Sequence, residues 1–431
     1  MNILIISSSD PTKIAGYGAL ILKEGLENKG FNVKLITKYK PQNNLYSNII
    51  YYYNKYCKFI ITIYSKVRNV LINIITTNKN LRRYLKENKI LLPFKNPFKF
   101  IKLAGFVPDA IIIFFMPSFI NYLDIMLLHK IYKCPIFVST TDMYPFTGLC
   151  HYSGSCNRFQ EFCGNCPAIH SKFKYDISWI TMQIKHFVAK RTSLIGLCWT
   201  DEYENLLHKS SIFKNKPIVK IPAFMYLEKE INRLDEEVYY NLRRKYSINK
   251  NDYVVMISSV SLNDQRKGIS DIINAINIVI RDPLLYDKLV IVTTGNGYLP
   301  IKPNVKKTIN FGLVNYNDLA DIFKLSDIFI SASYEDVGPG TIPYALICGV
   351  PVISYDTGFA PEIISDYENG FIVKKKNINE LSEKIREHFY MSQDKKEEMS
   401  YCAYNSVKYM FDYSFADYLA KAIIDNIKNN K

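Results

Sequence analysis

Two cations, a carboxylate and a glycine-proline-glycine loop carry the most specific chemistry in this sequence. Arg266-Lys267-Gly268 stand just ahead of a helical run, Ser270–Ile280. Glu335 follows the apolar run Ile328–Ile330, and Gly338-Pro339-Gly340 comes next. Thr341 is the expected N-cap of a helix over Ile342–Cys348 that Gly349 stops. Strand, glycine loop and helix N-terminus make an anion site, because free N–H groups and the helix dipole both point at the loop. Two cations on the same sheet edge suit a diphosphate. Glu335 stands at the strand's C-terminal end, where open α/β sheets place ligands. The competing reading is an ordinary strand-to-helix turn, with Arg266 and Lys267 forming a solvated basic turn.

A second constellation is DMYPFTGLCHYSGSCNRFQEFCGNCPAIH, in which Cys150, Cys156, Cys163 and Cys166 fall within 17 residues. The Cys163–Cys166 pair has the C-x-x-C bite of a zinc knuckle, and two such pairs give a tetrahedral thiolate site. The first pair is spaced more widely, and His151 is a substitute ligand. A structural zinc is the favoured reading, since metal binding would order a loop with little regular structure. Reduced free thiols and a redox pair are the alternatives.

These groups need elements to position them. Ile3–Ile6 reads as a buried strand, Ala19–Asn28 as a helix and Phe31–Thr37 as a second strand. Gly16 and Gly18 lie in the loop between, where a chain passes close to a ligand or simply turns; no full G-x-G-x-x-G is present. Asp109–Phe115, Pro135–Ser139, Leu194–Cys198 and Ile218–Pro222 continue the strands, and Asp142 follows Pro135–Ser139. The pattern restarts with Tyr253–Ser258, Leu289–Thr294 and Ile309–Val314, then the helix Asn317–Leu325. The expected organisation is an N-terminal domain over 1–222, with the cysteine-rich insert at 142–170, and a linker over 223–237. A C-terminal domain spans 238–405, and a helix in 406–431 packs back on the first domain. The fold class is α/β: two Rossmann-like doubly wound domains facing across a cleft. A nucleotide on the C-terminal half and a co-substrate on the N-terminal half predict transfer of a group from a nucleotide carrier.

The chain has 431 residues and a formal net charge of +15, which suggests anionic lipid, nucleic acid or phosphorylated substrates as partners. Between Lys38 and Lys102, aromatic and aliphatic residues mix with cations. That suits a helix on an anionic membrane surface, or a basic hairpin packed on its own domain. Nucleic acid is set aside, because the cations are spread along the chain and no recognition helix stands out. No run reaches the ~18 uncharged apolar residues of a membrane span. Met1-Asn2 leads straight into Ile3–Ile6 without a basic n-region, so no secretion signal is expected. A disulfide framework is not expected either.

Several stretches carry a family resemblance: RKG at Arg266–Gly268, FGLV at Phe311–Val314, SASYEDVGPGTIPYALICGVPVI from Ser331, GFAPEII at Gly358–Ile364 and ENGFIV at Glu368–Val373. In these the chain resembles the family-4 retaining glycosyltransferases of the GT-B fold. The cysteine-rich segment is similar to that of a bacterial subgroup building capsule, O-antigen or exopolysaccharide. The resemblance implies a hexose-type transfer from a UDP- or GDP-sugar to a lipid-linked or oligosaccharide acceptor, with no catalytic metal. It implies a cytoplasmic protein, at the inner face of the membrane. Arg266 and Lys267 match the cations on the donor diphosphate, Glu335 a glutamate on the donor sugar, and Gly338, Gly340 and Thr341 the donor loop. Gly16 matches the N-terminal glycine loop, and Asp142 a catalytic-block aspartate. Three positions depart from the pattern. The second glutamate, expected on the donor ribose, falls at Tyr344 or Pro343; the histidine before Asp142 is Thr141; and a basic residue before RKG is Ser261. These departures motivate the alternative of a catalytically degenerate subunit that binds nucleotide or glycan within a glycan-assembly complex.

Overall fold

The computed structural model of the chain describes residues 1–11, 14–38, 49–53, 55–88, 95–225, 236–299, 305 and 307–429. Two compact units result: Met1–Trp199 with Tyr203–Phe224 and Tyr413–Lys431, and Thr200–Glu202 with Met225–Asp412. Most of the expected linker lies outside the described residues.

The first unit holds β1 (Asn2–Ser7), β2 (Asn32–Thr37), β3 (Ile49–Tyr51), β4 (Ala110–Phe115), β5 (Ile136–Ser139), β6 (Leu194–Cys198) and β7 (Ile218–Lys220). They form one parallel sheet in the order β3-β2-β1-β4-β5-β6-β7. The second holds β8 (Tyr253–Ser261), β9 (Leu289–Asn296), β10 (Lys307–Asn310), β11 (Ile328–Ser331), β12 (Val352–Tyr355) and β13 (Gly370–Val373). Their order is β10-β9-β8-β11-β12-β13, again parallel. Helices cover both faces of such sheets, so central strands read as unbroken apolar runs; Ile3–Ile6 and Ala110–Ile113 are completely buried. The strand order reverses between β1 and β4, and again between β8 and β11. These are the topological switch points at which doubly wound sheets bind ligands. The two parallel α/β units are the GT-B architecture.

Some boundaries move for physical reasons. The first helix runs Ile14–Asn28, starting earlier than the glycines suggest. A Cβ on Gly16 would stand 1.9 Å from the Asp10 carbonyl oxygen, and one on Gly18 would stand 2.4 Å from Phe114. Tight packing, not a turn, selects these glycines over better helix formers. The strand expected at Ile309–Val314 is shorter and earlier, leaving FGLV as a loop. The aromatic, basic segment folds as the edge strand β3 and the helices Lys55–Ile75, Lys79–Asn88 and Pro97–Ala104. The last helix, Phe415–Asn429, packs on the first one. A Cβ on Gly25 would meet Phe415 at 2.7 Å, Tyr413 donates to Glu24 at 2.8 Å, and Phe415 stacks on Phe224 at 4.4 Å.

His388 is fully buried in the second unit and shares a 2.8 Å hydrogen bond with the Tyr253 hydroxyl. Burial, aided by Lys396, pushes its pKa down to about 3. The unfolded chain therefore binds the extra proton between about pH 6.5 and 3. Stability is complete above that window and falls as pH drops through it, by up to about 1.4 kcal/mol per pH unit. Urea-unfolding midpoints measured across this range are expected to lose this share of their slope in His388→Gln.

Candidate active site

The switch point of the second unit assembles the residues that the sequence singles out. β8 pairs directly with β11, Val255 beside Ile328 and Met256 beside Phe329, so the loops leaving their C-terminal ends run side by side. The β8 loop ends in a short 3-10 turn, Gln265–Lys267, capped by Asp264. Its Arg266 carbonyl accepts from the Tyr334 amide at 2.7 Å. The Arg266 guanidinium donates to Asp264 Oδ2 at 2.6 Å and to the Glu335 carbonyl at 3.3 Å. Lys267 Nζ donates to Asp336 Oδ2 at 2.5 Å, and Asp336 Oδ1 accepts from the Gly338 amide at 3.3 Å. Two cations, Glu335 and the glycine loop thus form one cluster, all partly exposed. Asp336, which sequence reasoning passed over, ties the lysine to the loop.

The glycines have separate reasons. Gly268 sits at φ +60° with its Cβ direction 1.9 Å from the Ala332 carbonyl oxygen. A Cβ on Gly338 would lie 2.0 Å from the Phe359 ring. Phe359, from the GFAPEII stretch, is buried beneath the loop. Gly340 is freer, with Met225 Cε at 3.3 Å the nearest atom. Gly340, not Thr341, is the N-cap of the helix Thr341–Ile347, and it makes no side-chain capping bond; Thr341 opens the helix instead. Tyr344 is only 2% exposed and lies edge-on to Phe411 at 5.6 Å. Pro343 is buried as well. Neither position presents a group at the surface for a ribose. A cavity of about 810 Å3 lined by Tyr239, Tyr253, Lys288 and His388 opens at the opposite, N-terminal edge of the sheet, away from this cluster.

In the first unit, Asp142 follows β5 and is buried. Its Oδ1 accepts from the Tyr144 amide at 2.9 Å, and its Oδ2 contacts His151 Nδ1 at 2.5 Å. The imidazole is the open half of the pair, with the His151 side chain 37% exposed against 6% for Asp142. The two are nine residues apart in an irregular loop, so no periodic signal could have paired them. Gly16 lies in this unit too, inside the first helix. Gly16 and Asp142 thus belong to the first unit, and the Arg266–Lys267 cluster to the second.

All four cysteines of the insert are free thiols. Cys166 is drawn below the ordinary thiol range by a hydrogen bond with Cys150 and by backbone bonds from Ala168 and Ile169. Burial pushes Cys163 up to about 11. Among the described residues no group of three or more His, Cys, Asp or Glu is placed to hold a metal ion. His151, the substitute ligand, has its Nδ1 on Asp142 Oδ2. Lys185 carries no signal of its own in the sequence. It is buried in the helix Ile177–Ala189, donates to the carbonyls of Tyr144 and of Thr147 (2.9 Å for the latter), and lies 4.3 Å over the Tyr144 ring. Burial lowers its pKa to about 7, against the opposing pull of Cys163, Asp142 and Cys150.

The close approaches make a graded prediction. Gly268→Ala and Gly338→Ala are each expected to cost roughly 2 kcal/mol or more in denaturant unfolding, through backbone strain and overlap. Gly340→Ala, in an ordinary helical conformation with only the flexible end of Met225 to displace at 3.3 Å, is expected to stay within about 0.5 kcal/mol.

Residues 240–406 match the family described as glycosyl transferases group 1. A curated relative is the N,N'-diacetylbacillosaminyl-diphospho-undecaprenol alpha-1,3-N-acetylgalactosaminyltransferase of Campylobacter jejuni, 33% identical over 81 residues. That match spans 18% of this chain and 22% of the relative's length. Among solved structures, a sucrose-phosphate synthase from Thermosynechococcus elongatus aligns over 99% of both chains, with a TM-score of 0.65 and 12% identity. WaaG, a glycosyltransferase involved in lipopolysaccharide biosynthesis, aligns over 98% of this chain and 99% of its own, with a TM-score of 0.62 and 13% identity. Anabaena HepE in complex with UDP aligns over 99% of this chain and all of its own, with a TM-score of 0.61 and 12% identity. At these identities the structural matches show the GT-B fold, and the family match covers residues 240–406 of the second unit.

Proposed function

We propose that the protein is a retaining glycosyltransferase that moves a hexose-type sugar from a UDP- or GDP-sugar to a lipid-linked or oligosaccharide acceptor. The observation that carries the reading is the Arg266–Lys267 pair beside Glu335 at the β8/β11 switch point of a group 1 domain. Negative charge grows on the departing diphosphate as the glycosidic bond breaks. Fixed cations that meet this charge where it develops lower the barrier without reorganising. Lys267 keeps donors to spare beyond its bond to Asp336, since an ammonium carries three. Glu335 is assigned to the donor sugar. In the first unit, the open imidazole of His151, oriented by Asp142, is assigned to the acceptor hydroxyl. Asp142 acts through His151 as a positioning residue.

The curated relative's name supports a bacterial lipid-linked acceptor, and the HepE complex supports a uridine nucleotide. Surface polysaccharide assembly (capsule, O-antigen or exopolysaccharide) at the cytoplasmic face of the membrane is the setting proposed. The burial of Tyr344 favours one second reading, a subunit that binds nucleotide or glycan without turnover, because the position of the ribose-binding glutamate offers no polar group at the surface.

Calorimetry with UDP and GDP, followed by transfer assays with the sugar of whichever base binds, separates the two. Lys267→Ala is expected to weaken nucleotide binding and lower kcat by roughly a hundredfold to a thousandfold. Glu335→Ala and His151→Ala are expected to keep nucleotide binding and lose turnover. Nucleotide binding with no transfer by the wild type would establish the second reading; transfer undiminished in Lys267→Ala would remove the site assignment.

A structural zinc on Cys150, Cys156, Cys163 and Cys166 is a separate proposal resting on spacing. Elemental analysis of protein purified without chelator is expected to give about one zinc per chain, lost in Cys163→Ser. Wild-type protein that is metal-free and unchanged in melting temperature by EDTA would leave the cluster as free thiols.

A further inference from the structure

The helix Lys55–Ile75 turns an apolar stripe outward. Ile63, Val67, Val70 and Ile74 recur at helical spacing and are 47%, 53%, 55% and 74% exposed. At 3.6 residues per turn they fall within an arc of about 60°, and Tyr64 and Leu71 widen it along one side. This is not a loosely attached helix. Its opposite face is held by Arg68 and Ile72, both buried. Its C-terminal end is clamped by Arg82 of the next helix, which donates to the Thr76 carbonyl at 2.8 Å and the Asn73 carbonyl at 3.4 Å. Asn78 in turn donates to the Ile169 carbonyl at 3.1 Å, fastening this helix pair to the cysteine-rich segment. A few residues beyond that anchor stands Lys172-Phe173-Lys174-Tyr175, all exposed, with Phe173 at 62%.

Charge states what covers the stripe. Residues 55–88 carry eight Lys and Arg against one Glu; Arg68 and Arg82 are engaged on the inner face and at the helix end, while Lys66 is exposed at the flank of the stripe and Lys79 is exposed at the start of the next helix. A second copy of the same chain would bring this cation excess against itself. A bilayer of anionic lipid satisfies both features, taking the apolar side chains to the depth of the acyl boundary and the cations at the headgroups. No helix among the described residues is long and apolar enough to cross a membrane, so this one lies on the surface. We propose that the 63–74 face of this helix, together with the exposed 172–175 loop, is a docking surface for anionic lipid bilayers. It holds the first unit at the membrane independently of catalysis.

The test is co-sedimentation with vesicles of about equal parts phosphatidylglycerol and phosphatidylcholine, against pure phosphatidylcholine, at low and high salt. The wild type is expected to sediment with the anionic vesicles, less so at high salt. Val67→Glu/Ile74→Glu, which alters exposed positions and is expected to keep the wild-type melting temperature, should bind at least about tenfold more weakly. Wild-type protein that stays in the supernatant overturns the proposal, as does a double variant that sediments equally. A wild-type dimer that the double variant converts to monomer also overturns it, making the stripe an interface between copies. Binding is read without any transfer assay, so a failed glycosyltransferase reading would not touch the result.

Discussion

The backbone at Gly268 passes so close to the Ala332 carbonyl that no side chain fits between them, and the cation cluster depends on that approach. β8 and β11 are neighbours in the sheet, but adjacency of strands alone brings loops only to within several ångströms of each other. The left-handed turn at Gly268 folds the β8 loop onto the start of the β11 loop, and the Tyr334 amide bond to Arg266 closes the contact. Lys267 and Asp336, 69 residues apart in sequence, then meet. Phe359 supports the other side, filling the space a Cβ at Gly338 would need. The invariance of shape here comes from backbone packing, with the charges mounted on it.

Asp336 looks at first like a competitor for the charge that a diphosphate would use. Its effect on order points the other way. A free lysine side chain loses up to about 2 kcal/mol of rotamer entropy when it is fixed. The Asp336 contact fixes Lys267 during folding, so a phosphate arriving at the loop meets an ammonium already placed. Preorganisation of this kind strengthens binding without adding a contact. The Arg266–Asp264 pair does the same for the guanidinium. Each cation remains partly exposed, which limits the strength of the pair itself.

What could be read in the sequence follows from the physics of parallel sheets. Strands buried on both faces are short unbroken apolar runs, so Leu194–Cys198 and the runs at Ile3 and Ile328 were legible, and strand-helix alternation gave two doubly wound units. Less visible was anything set by three-dimensional packing. Gly16 and Gly18 read as part of a loop and lie inside a helix at closely packed positions. FGLV reads as a strand but lies beyond the end of β10. Tyr344 looks like a polar replacement in a binding site, yet its ring is core. The Asp142–His151 pair belongs to an irregular loop, where spacing carries no period, and the buried Lys185 reaches that loop from a helix more than thirty residues further on, through packing alone.

The net charge of +15 is similarly ambiguous until it is divided by location. Part of it is structural. Lys185 is buried among carbonyls and aromatic rings, and Arg243 is buried with its guanidinium on Asp327 at 2.7 Å and the Asp252 carbonyl at 2.9 Å. These cations neutralise internal acceptors and are not available to a partner. Arg266 and Lys267 are already assigned to internal carboxylates that a more acidic ligand would have to share. The surplus without nearby acids concentrates in residues 55–88 of the first unit. Among the described side chains there, the exposed Lys66 borders the exposed apolar stripe. A duplex nucleic acid would want cations on a polar face, whereas cations bordering an apolar stripe fit an interface with charged headgroups above acyl chains. Composition alone leaves phosphate, nucleic acid and lipid as equal candidates; the placement of the cations divides the first and last of these between the two units.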